Sequence, residues 1–355
     1  MMELNNMKKK VVYVVESFAM GVFTFICDLT NNLSDQYDFV ILYGKRKETP
    51  NDFSKYFKDN IRFKEIKNFR RRIGFHDILA IKEIKKIIKE ENPDIIHLHS
   101  SKAGALGRLC IKNKKLFYTP HSYSFLNSNK FKGFIYKIME KLLSKINKKC
   151  HIIACSKSEY NEAIKFNKNV TVISNSINTK KIDTYLDDGI KESKTICTSG
   201  RICKQKNPKM FNSIAEALPN YDFYWIGDGK MQNVLTSKNI HVLGNLSHEE
   251  AIKEVNKHQI FILPSSWEGL SISLLEALYL KKICLVSDID SNKTVINNGI
   301  NGFVCHDTKD YVDIIDKIMK DEVNIQNIAE NARNTILYDY NFDSMCKEYI
   351  KVYEK

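Results

Sequence analysis

Acidic residues are in deficit: 42 Asp and Glu stand against 55 Lys and Arg in 355 residues, a formal net charge of +13. Such an excess decides nothing about fold, but it suits anionic partners such as phosphates, an acidic lipid surface or nucleic acid. Proline and glycine are scarce, at 6 and 14, and 43% of the residues are hydrophobic. That combination excludes a collagen-like or disordered chain and describes a folded globular one, long enough for two ordinary domains. No apolar run reaches the 18 or so residues that a membrane-spanning helix needs. The opening MMELNNMKKK leads straight into VVYVV, without the apolar segment and cleavage site of a secretory leader. The nine cysteines are odd in number and include no CxxC pair. Reduced thiols and a cytoplasmic protein are therefore expected, rather than a disulfide framework or a zinc site.

What is present is alternation. Residues 261–287, FILPSSWEGLSISLLEALYLKKICLVS, read as strand, polar loop, apolar helix and second strand, the pattern of a parallel βαβ unit. Two acids stand out in it. Glu268 precedes the helix, and Glu276 lies inside it between Leu275 and Ala277. A carboxylate on so apolar a helix needs a partner or a ligand. Gly269 allows close approach to the backbone, and a helix N-terminus attracts an anion.

The same alternation runs through the chain. Residues 10–15 form a strand, followed by a turn carrying Gly21 and a helix. Strands at 39–43, 95–99 and 116–119 follow. The strand at 95–99 leads through Ser100, Ser101 and Lys102 into a helix bearing Gly104, Gly107 and Arg108; that at 116–119 is stopped by Pro120 and followed by His121. A histidine just past a strand's carboxyl end sits where α/β sheets meet ligands. Strands at 151–154 and 170–173 complete about six or seven. Residues 178–194 are polar and lack periodicity, as a linker does. Strand and helix then alternate again from residue 195 onward.

The strongest amphipathic segment is 130–149. Phe131, Phe134, Ile135, Ile138, Met139, Leu142, Leu143 and Ile146 follow helical spacing, with Lys130, Lys132, Lys137, Lys141, Lys145, Lys148 and Lys149 mostly off that stripe. The stripe is expected to pack on the sheet and the lysines to face solvent. There they, with Arg70, Arg71 and Arg72, can meet acidic lipid headgroups. No stacking-aromatic or nucleic-acid module accompanies the basic face, so nucleic acid is not expected as a partner.

Five motifs occur in order between residues 199 and 304: SGRICKQKNP (199–208), WIGDGKMQNVL (225–235), VLGNLSHEEA (242–251), PSSWEGLSISLLEA (264–277) and NNGINGFV (297–304). With them the second half resembles the donor-binding domain of family 4 glycosyltransferases, retaining enzymes of the two-Rossmann GT-B architecture. ESFAMGVFTF, HLHSSKAGALGR, YTPHSYSF, ACSKS and VISNSIN extend the resemblance over the first half more loosely. TPHSYSF and HSSKAGALGR are most similar to enzymes that build bacterial surface polysaccharides: capsule, exopolysaccharide or O-antigen lipopolysaccharide.

The resemblance implies an α/β fold of two Rossmann-like doubly wound domains facing a cleft. Residues 1–180 would bind the acceptor, 181–193 would be a linker and 194–338 would bind the nucleotide sugar, with a helix at 339–355 returning to the first domain. It implies a metal-independent hexosyltransferase without a cofactor, on the inner face of the membrane. A hexose would move from a nucleotide diphosphate sugar to a glycan, such as a lipid-diphosphate-linked saccharide, at an anionic membrane surface. Arg201 and Lys206 match the family's diphosphate-binding pair, and backbone amides at Gly269, Leu270 and Ser271 would cap the same group. Glu276 would take the ribose hydroxyls and Glu268 the donor sugar. Gly244, Asn245 and Leu246 would hold the base, and Gly227 belongs to the same donor side. From the first half, Gly21 would close on the diphosphate and His121 would meet the reacting end of the sugar, as a positioning residue rather than a general base. Ser100, Ser101, Lys102 and Arg108 are the acceptor-side candidates.

The chain also departs from the family pattern. Ala19 and Met20 stand where many relatives have glycines, 280–283 replaces the usual Gly-Lys-Pro turn, and Lys293 and Thr294 stand where an acid is common. Asp288-Ile289-Asp290 spells the DxD metal signature of the other glycosyltransferase fold, here read as coincidence. Two other readings share the nucleotide-sugar site: a non-hydrolysing epimerase of the same fold, and an inactive binding subunit. The first needs additional cleft acids that the sequence does not display. The second is opposed by the intact Arg201, Lys206, Glu268 and Glu276.

Overall fold

The computed structural model describes residues 8–70, 72–126, 130–186 and 193–355. Arg71, the side chain of Lys130 and residues 187–192 of the expected linker lie outside the described residues. The chain divides into two compact units, Met1–Ser174 with Cys346–Lys355, and Asn175–Met345.

In the first unit seven strands form one sheet: β1 (Lys9–Val15), β2 (Tyr37–Tyr43), β3 (Arg62–Glu65), β4 (Ile95–His99), β5 (Lys115–Thr119), β6 (His151–Ala154) and β7 (Val170–Val172). All pairings are parallel, in the order β3-β2-β1-β4-β5-β6-β7. Val11 to Val15 are wholly buried, as a strand covered on both faces requires. β3 (RFKE) escaped the sequence reading because an edge strand need not be apolar on either face; no residue of it is buried.

The second unit carries β8 (Ser193–Ser199), β9 (Phe223–Ile226), β10 (Ile240–Gly244), β11 (His258–Leu263), β12 (Ile283–Ser287) and β13 (Phe303–Cys305), in the order β10-β9-β8-β11-β12-β13. Its core joins Trp225, Phe211, Ile260, Ile262, Leu285 and Tyr311. Both sheets are doubly wound. Strand order reverses between β1 and β4 in one and between β8 and β11 in the other, and ligands enter α/β sheets beyond the carboxyl ends of such strands. The last helix, Phe342–Glu354, belongs to the first unit from Cys346 onward, where Tyr349 and Tyr353 are fully buried.

One expectation is overturned. Of the apolar stripe of the Lys130–Ile146 helix only Leu143 is buried: Phe131 is 74% exposed, Phe134 65%, Leu142 53% and Ile146 55%. The buried side is instead Gly133, Glu140, Leu143 and Ser144. Arg108, on the adjoining Ser101–Cys110 helix, explains this orientation. Its side chain is wholly buried and donates to Glu140 Oε2 at 2.6 Å, while Tyr118 OH donates to Glu140 Oε1 at 3.2 Å. A buried guanidinium without a carboxylate would cost several kcal/mol, so the ion pair sets which way the helix faces.

Candidate active site

In the second unit, the loops after β8 and β11 converge at the switch point. Beyond β8 the chain turns at Gly200 (φ +141°) into Arg201 and a short 3₁₀ turn, Lys204–Lys206. Asn207 then takes a left-handed conformation (φ +52°), caps the Pro208–Ala217 helix through its side chain, and Pro208 begins that helix. The turn is braced from β9. Trp225 Nε1 donates to the Gly200 carbonyl at 2.7 Å, and a Cβ on Gly227 (φ +139°) would lie 2.2 Å from that same oxygen. Gly227 is thus required by the close approach of two loops.

Beyond β11, Glu268 faces this turn. Lys206 Nζ donates to Glu268 Oε1 at 2.8 Å, Ser265 Oγ donates to the same oxygen at 2.8 Å, and Gln205 Nε2 donates to Oε2 at 3.0 Å. Ser266 N donates to the Gln205 carbonyl at 2.8 Å, tying the two loops through the backbone as well. Both charges are nearly buried, with 14% and 7% of their side-chain surfaces exposed, and a charge pair so sheltered interacts far more strongly than one in water. Gln205 and Ser265 were not anticipated. Nothing in the sequence signals them beyond adjacency to Lys206 and to the strand end.

The Ile272–Tyr279 helix starts directly after Gly269, Leu270 and Ser271. The Ser271 hydroxyl does not cap the helix; it pairs with Ser273 Oγ at 3.1 Å. Ser273 in turn donates to the Ser199 carbonyl, which places this helix start against the end of β8. Glu276, one turn into the helix, has the partner that its burial demanded: His248 Nε2 lies 2.7 Å from Oε1. His248 opens the His248–Asn256 helix behind a Ser247/Glu250 capping box. The pairing spans 28 positions and has no local signal. Gly244 (φ +73°) ends β10, Asn245 and Leu246 follow it in the loop to that helix, and a Cβ at Gly244 would meet nothing within 4 Å.

In the first unit, left-handed backbone collects at the carboxyl edge of the sheet. Met20 (φ +53°), Ser100 (φ +86°), His121 (φ +52°) and Ser122 (φ +87°) all adopt conformations that side chains disfavour. Strain of this kind clusters at functional sites. Gly21 lies in the first turn of the Met20–Leu33 helix. His121 Nε2 is 3.0 Å from His99 Nδ1 and their rings stack at 5.3 Å. His97 continues the row, 2.6 Å from Tyr353 OH and 2.9 Å from Thr119 Oγ1. Burial pushes the His121 imidazole down to about 3, and holds His97 and His99 well below the ordinary value. The ring at residue 121 is therefore neutral at pH 7, a hydrogen-bonding group rather than a cation.

Ser100 caps the Ser101–Cys110 helix, and Ser101 Oγ accepts from Ser124 N at 3.1 Å. Lys102 pairs with Asp77 at 2.6 Å and donates to the Arg70 and Arg72 carbonyls. Arg108 reaches no surface; Glu140, Tyr118 and the Gly104 carbonyl hold it inside. All four acceptor-side candidates thus have partners within the unit, Lys102 and Arg108 through ion pairs and Ser100 and Ser101 through backbone amides.

Among the described residues no group of three or more His, Cys, Asp or Glu is arranged to hold a metal ion. Asp288 pairs with Lys293 at 2.6 Å and lies 3.4 Å from His306 Nε2. No helix among the described residues is long and apolar enough to cross a membrane.

Residues 187–335 match the family of glycosyl transferases group 1, and residues 19–181 match Glycosyltransferase Family 4. The chain is 26% identical over 324 residues to an Escherichia coli UDP-Gal:alpha-D-GlcNAc-diphosphoundecaprenol alpha-1,3-galactosyltransferase, covering 81% of this chain and 82% of that one. It is 27% identical over 304 residues to a Campylobacter jejuni N,N'-diacetylbacillosaminyl-diphospho-undecaprenol alpha-1,3-N-acetylgalactosaminyltransferase, covering 77% and 80%. In fold it is similar to a sucrose-phosphate synthase from Thermosynechococcus elongatus (TM-score 0.82, 14% identity, 98% of each chain). It is likewise similar to HepE of Anabaena in complex with UDP and glucose (TM-score 0.79, 15% identity, 97% and 98%). The two family matches adjoin, and they divide the chain as its two doubly wound sheets do: the protein belongs to the family 4 glycosyltransferases and has their GT-B fold.

Proposed function

We propose that the protein transfers a hexose, with retention of anomeric configuration, from a nucleoside diphosphate sugar to a saccharide carried on a lipid diphosphate, in assembly of a bacterial surface polysaccharide. Similarity to two enzymes named for diphosphoundecaprenol-linked acceptors supports the acceptor class. The reaction would take place on the cytoplasmic face of an anionic membrane. The observation that carries the chemistry is the sheltered Lys206–Glu268 pair beside the start of the Ile272–Tyr279 helix. It sets a cation and an anion side by side where a donor has an anionic diphosphate next to a sugar that becomes electron-poor.

In this reading the acceptor hydroxyl oxygen bonds to the anomeric carbon on the face from which the diphosphate departs. The breaking bond's electron pair goes to the terminal phosphate oxygen, which also takes the acceptor's proton. Negative charge grows on the diphosphate, so the largest contribution comes from groups that stabilise it. Arg201, Lys206 and the amides of Gly269, Leu270 and Ser271 carry that charge without a metal or other cofactor. Glu268, released from Lys206 when phosphate takes its place, receives a sugar hydroxyl and favours positive charge at the anomeric carbon. Glu276, oriented by His248, accepts from the ribose, and Gly244 to Leu246 meet the base. In the first unit His121, neutral and fixed by His99, offers a hydrogen-bonding group at the carboxyl edge of its sheet.

The test is turnover and donor binding in paired variants. Lys206→Ala is expected to lower kcat by about 100-fold or more with the fold intact, the scale for removal of a charge-stabilising group. Glu276→Ala is expected to raise the KM for donor. Unchanged kcat in Lys206→Ala would remove its assigned role.

A further inference from the structure

The Lys130–Ile146 helix presents bulky apolar side chains to solvent over its whole length: Phe131, Phe134, Ile138, Leu142 and Ile146 are each at least 40% exposed. Leu109 on the adjoining Ser101–Cys110 helix is also exposed, as are Phe75 and Ile78 at the start of the next helix along. So many large apolar side chains exposed on one helix and its neighbours mark an interface. Its occupant is indicated by charge. On a helical wheel Lys132 borders one edge of the ridge and Lys141 the other, Lys145 stands within it between Phe134 and Ile138, and Lys148 and Lys149 follow its end; all five are exposed. The one acid in residues 131–149, Glu140, is turned inward onto Arg108. On this helix the ridge is therefore framed by positive charge alone, and Glu162 of the neighbouring Lys157–Ala163 helix is taken up by Lys137 and Lys165; the frame complements an anionic surface.

We infer that this helix, roughly 25 Å long, lies flat in the headgroup layer of an anionic bilayer, its apolar ridge among the acyl chains and its lysines at the phosphates. Lysine stems reach outward from such a position while their ammonium groups stay in the polar layer. The inward Glu140–Arg108 pair is the device that makes this possible, since it turns the polar side of an amphipathic helix into the protein and the apolar side out. The inference rests on the membrane-surface part of the function proposed above, and adds the element that inserts and the depth at which it sits.

The test uses the full chain with vesicles of phosphatidylethanolamine and phosphatidylglycerol, and with phosphatidylcholine vesicles as the neutral control. Phe131→Trp should shift its fluorescence to the blue on anionic vesicles and be quenched by lipids brominated on their acyl chains. Phe134→Ser with Leu142→Ser should weaken sedimentation with anionic vesicles by about tenfold or more, at an unchanged melting temperature. Lys141→Glu with Lys145→Glu should weaken it by a similar factor and reduce its dependence on salt. A tryptophan that stays in water on bound vesicles overturns the inference. So does a serine variant that sediments like the parent, or apolar-face substitutions that abolish a lipid-free dimer instead. Melting-temperature shifts by UDP, ADP and GDP report the donor site separately. Vesicle insertion with no nucleotide shift would count against the transferase reading alone, and a nucleotide shift without insertion against the helix alone.

Discussion

Two helices of this protein each carry a strongly apolar face and each bury one carboxylate, yet they are put to opposite uses. The Ile272–Tyr279 helix is buried nearly all round, and its Glu276 meets His248 at a loop end beside the candidate donor site. The Lys130–Ile146 helix is buried only on its more polar side, where Glu140 meets Arg108, and its apolar ridge faces out. Helical periodicity states that a segment has two unlike faces. Which face turns inward depends on what lies opposite, and a buried guanidinium is costly enough to outweigh several exposed leucine-sized side chains.

The sharpest way to break this comparison is to remove the two carboxylates in turn. Glu140→Ala leaves Arg108 buried and uncompensated, and is expected to lower unfolding free energy by about 3–5 kcal/mol in denaturant titration. Glu276→Ala should cost much less stability, because His248 can be neutral, and should instead weaken donor binding. Equal stability losses would show that Glu276 too is chiefly structural. Next in size, Arg201→Ala should reduce kcat by about 100-fold or more at an unchanged melting temperature. Arg108→Ala should do the reverse, acting on stability before activity.

Acid offers a second comparison, between the two units. His97, His99 and His121 of the first unit have folded values depressed by burial, that of His121 to about 3, while in the second His258 is lowered to about 4. A depressed histidine is neutral in the fold but takes a proton when unfolded, so its stabilising contribution is complete above about pH 6.5 and is lost as pH falls toward the folded value. For His121 alone the loss is roughly 2 kcal/mol by pH 5. Hydrogen exchange at pH 7 and pH 5 should show the amides around His97 and His121 losing more protection than those around β8 and β9; equal losses would contradict the sheltered row of histidines. The smallest effect belongs to the ridge. Without lipid, Phe134→Ser should change stability by no more than about 0.5 kcal/mol, since the ring buries little against the protein.

The site residues differ in how legible they were. Arg201, Lys206, Glu268 and Glu276 stand out because charged groups occur beside strand ends and within an apolar helix, in a recognisable order. Their partners do not. His248 reaches Glu276 across 28 positions, and His99, an ordinary buried residue of β4 by pattern, turns out to hold His121. Met20 was legible as a departure, but only the backbone shows that it occupies a left-handed conformation in which glycine would be unstrained.

From the residues alone followed the two series of βα units, since period-2 and period-3.6 patterns report local backbone geometry directly. So did the family and the polar residues beside strand ends, since sequence order places them there. Only the tertiary structure decided that Glu268 is held by Lys206, Gln205 and Ser265, that Arg108 is interior, and that the clearest apolar stripe in the chain faces outward. These are contacts between segments distant in sequence, and the desolvation of a charge, which fixes them, depends on surroundings that no single segment contains.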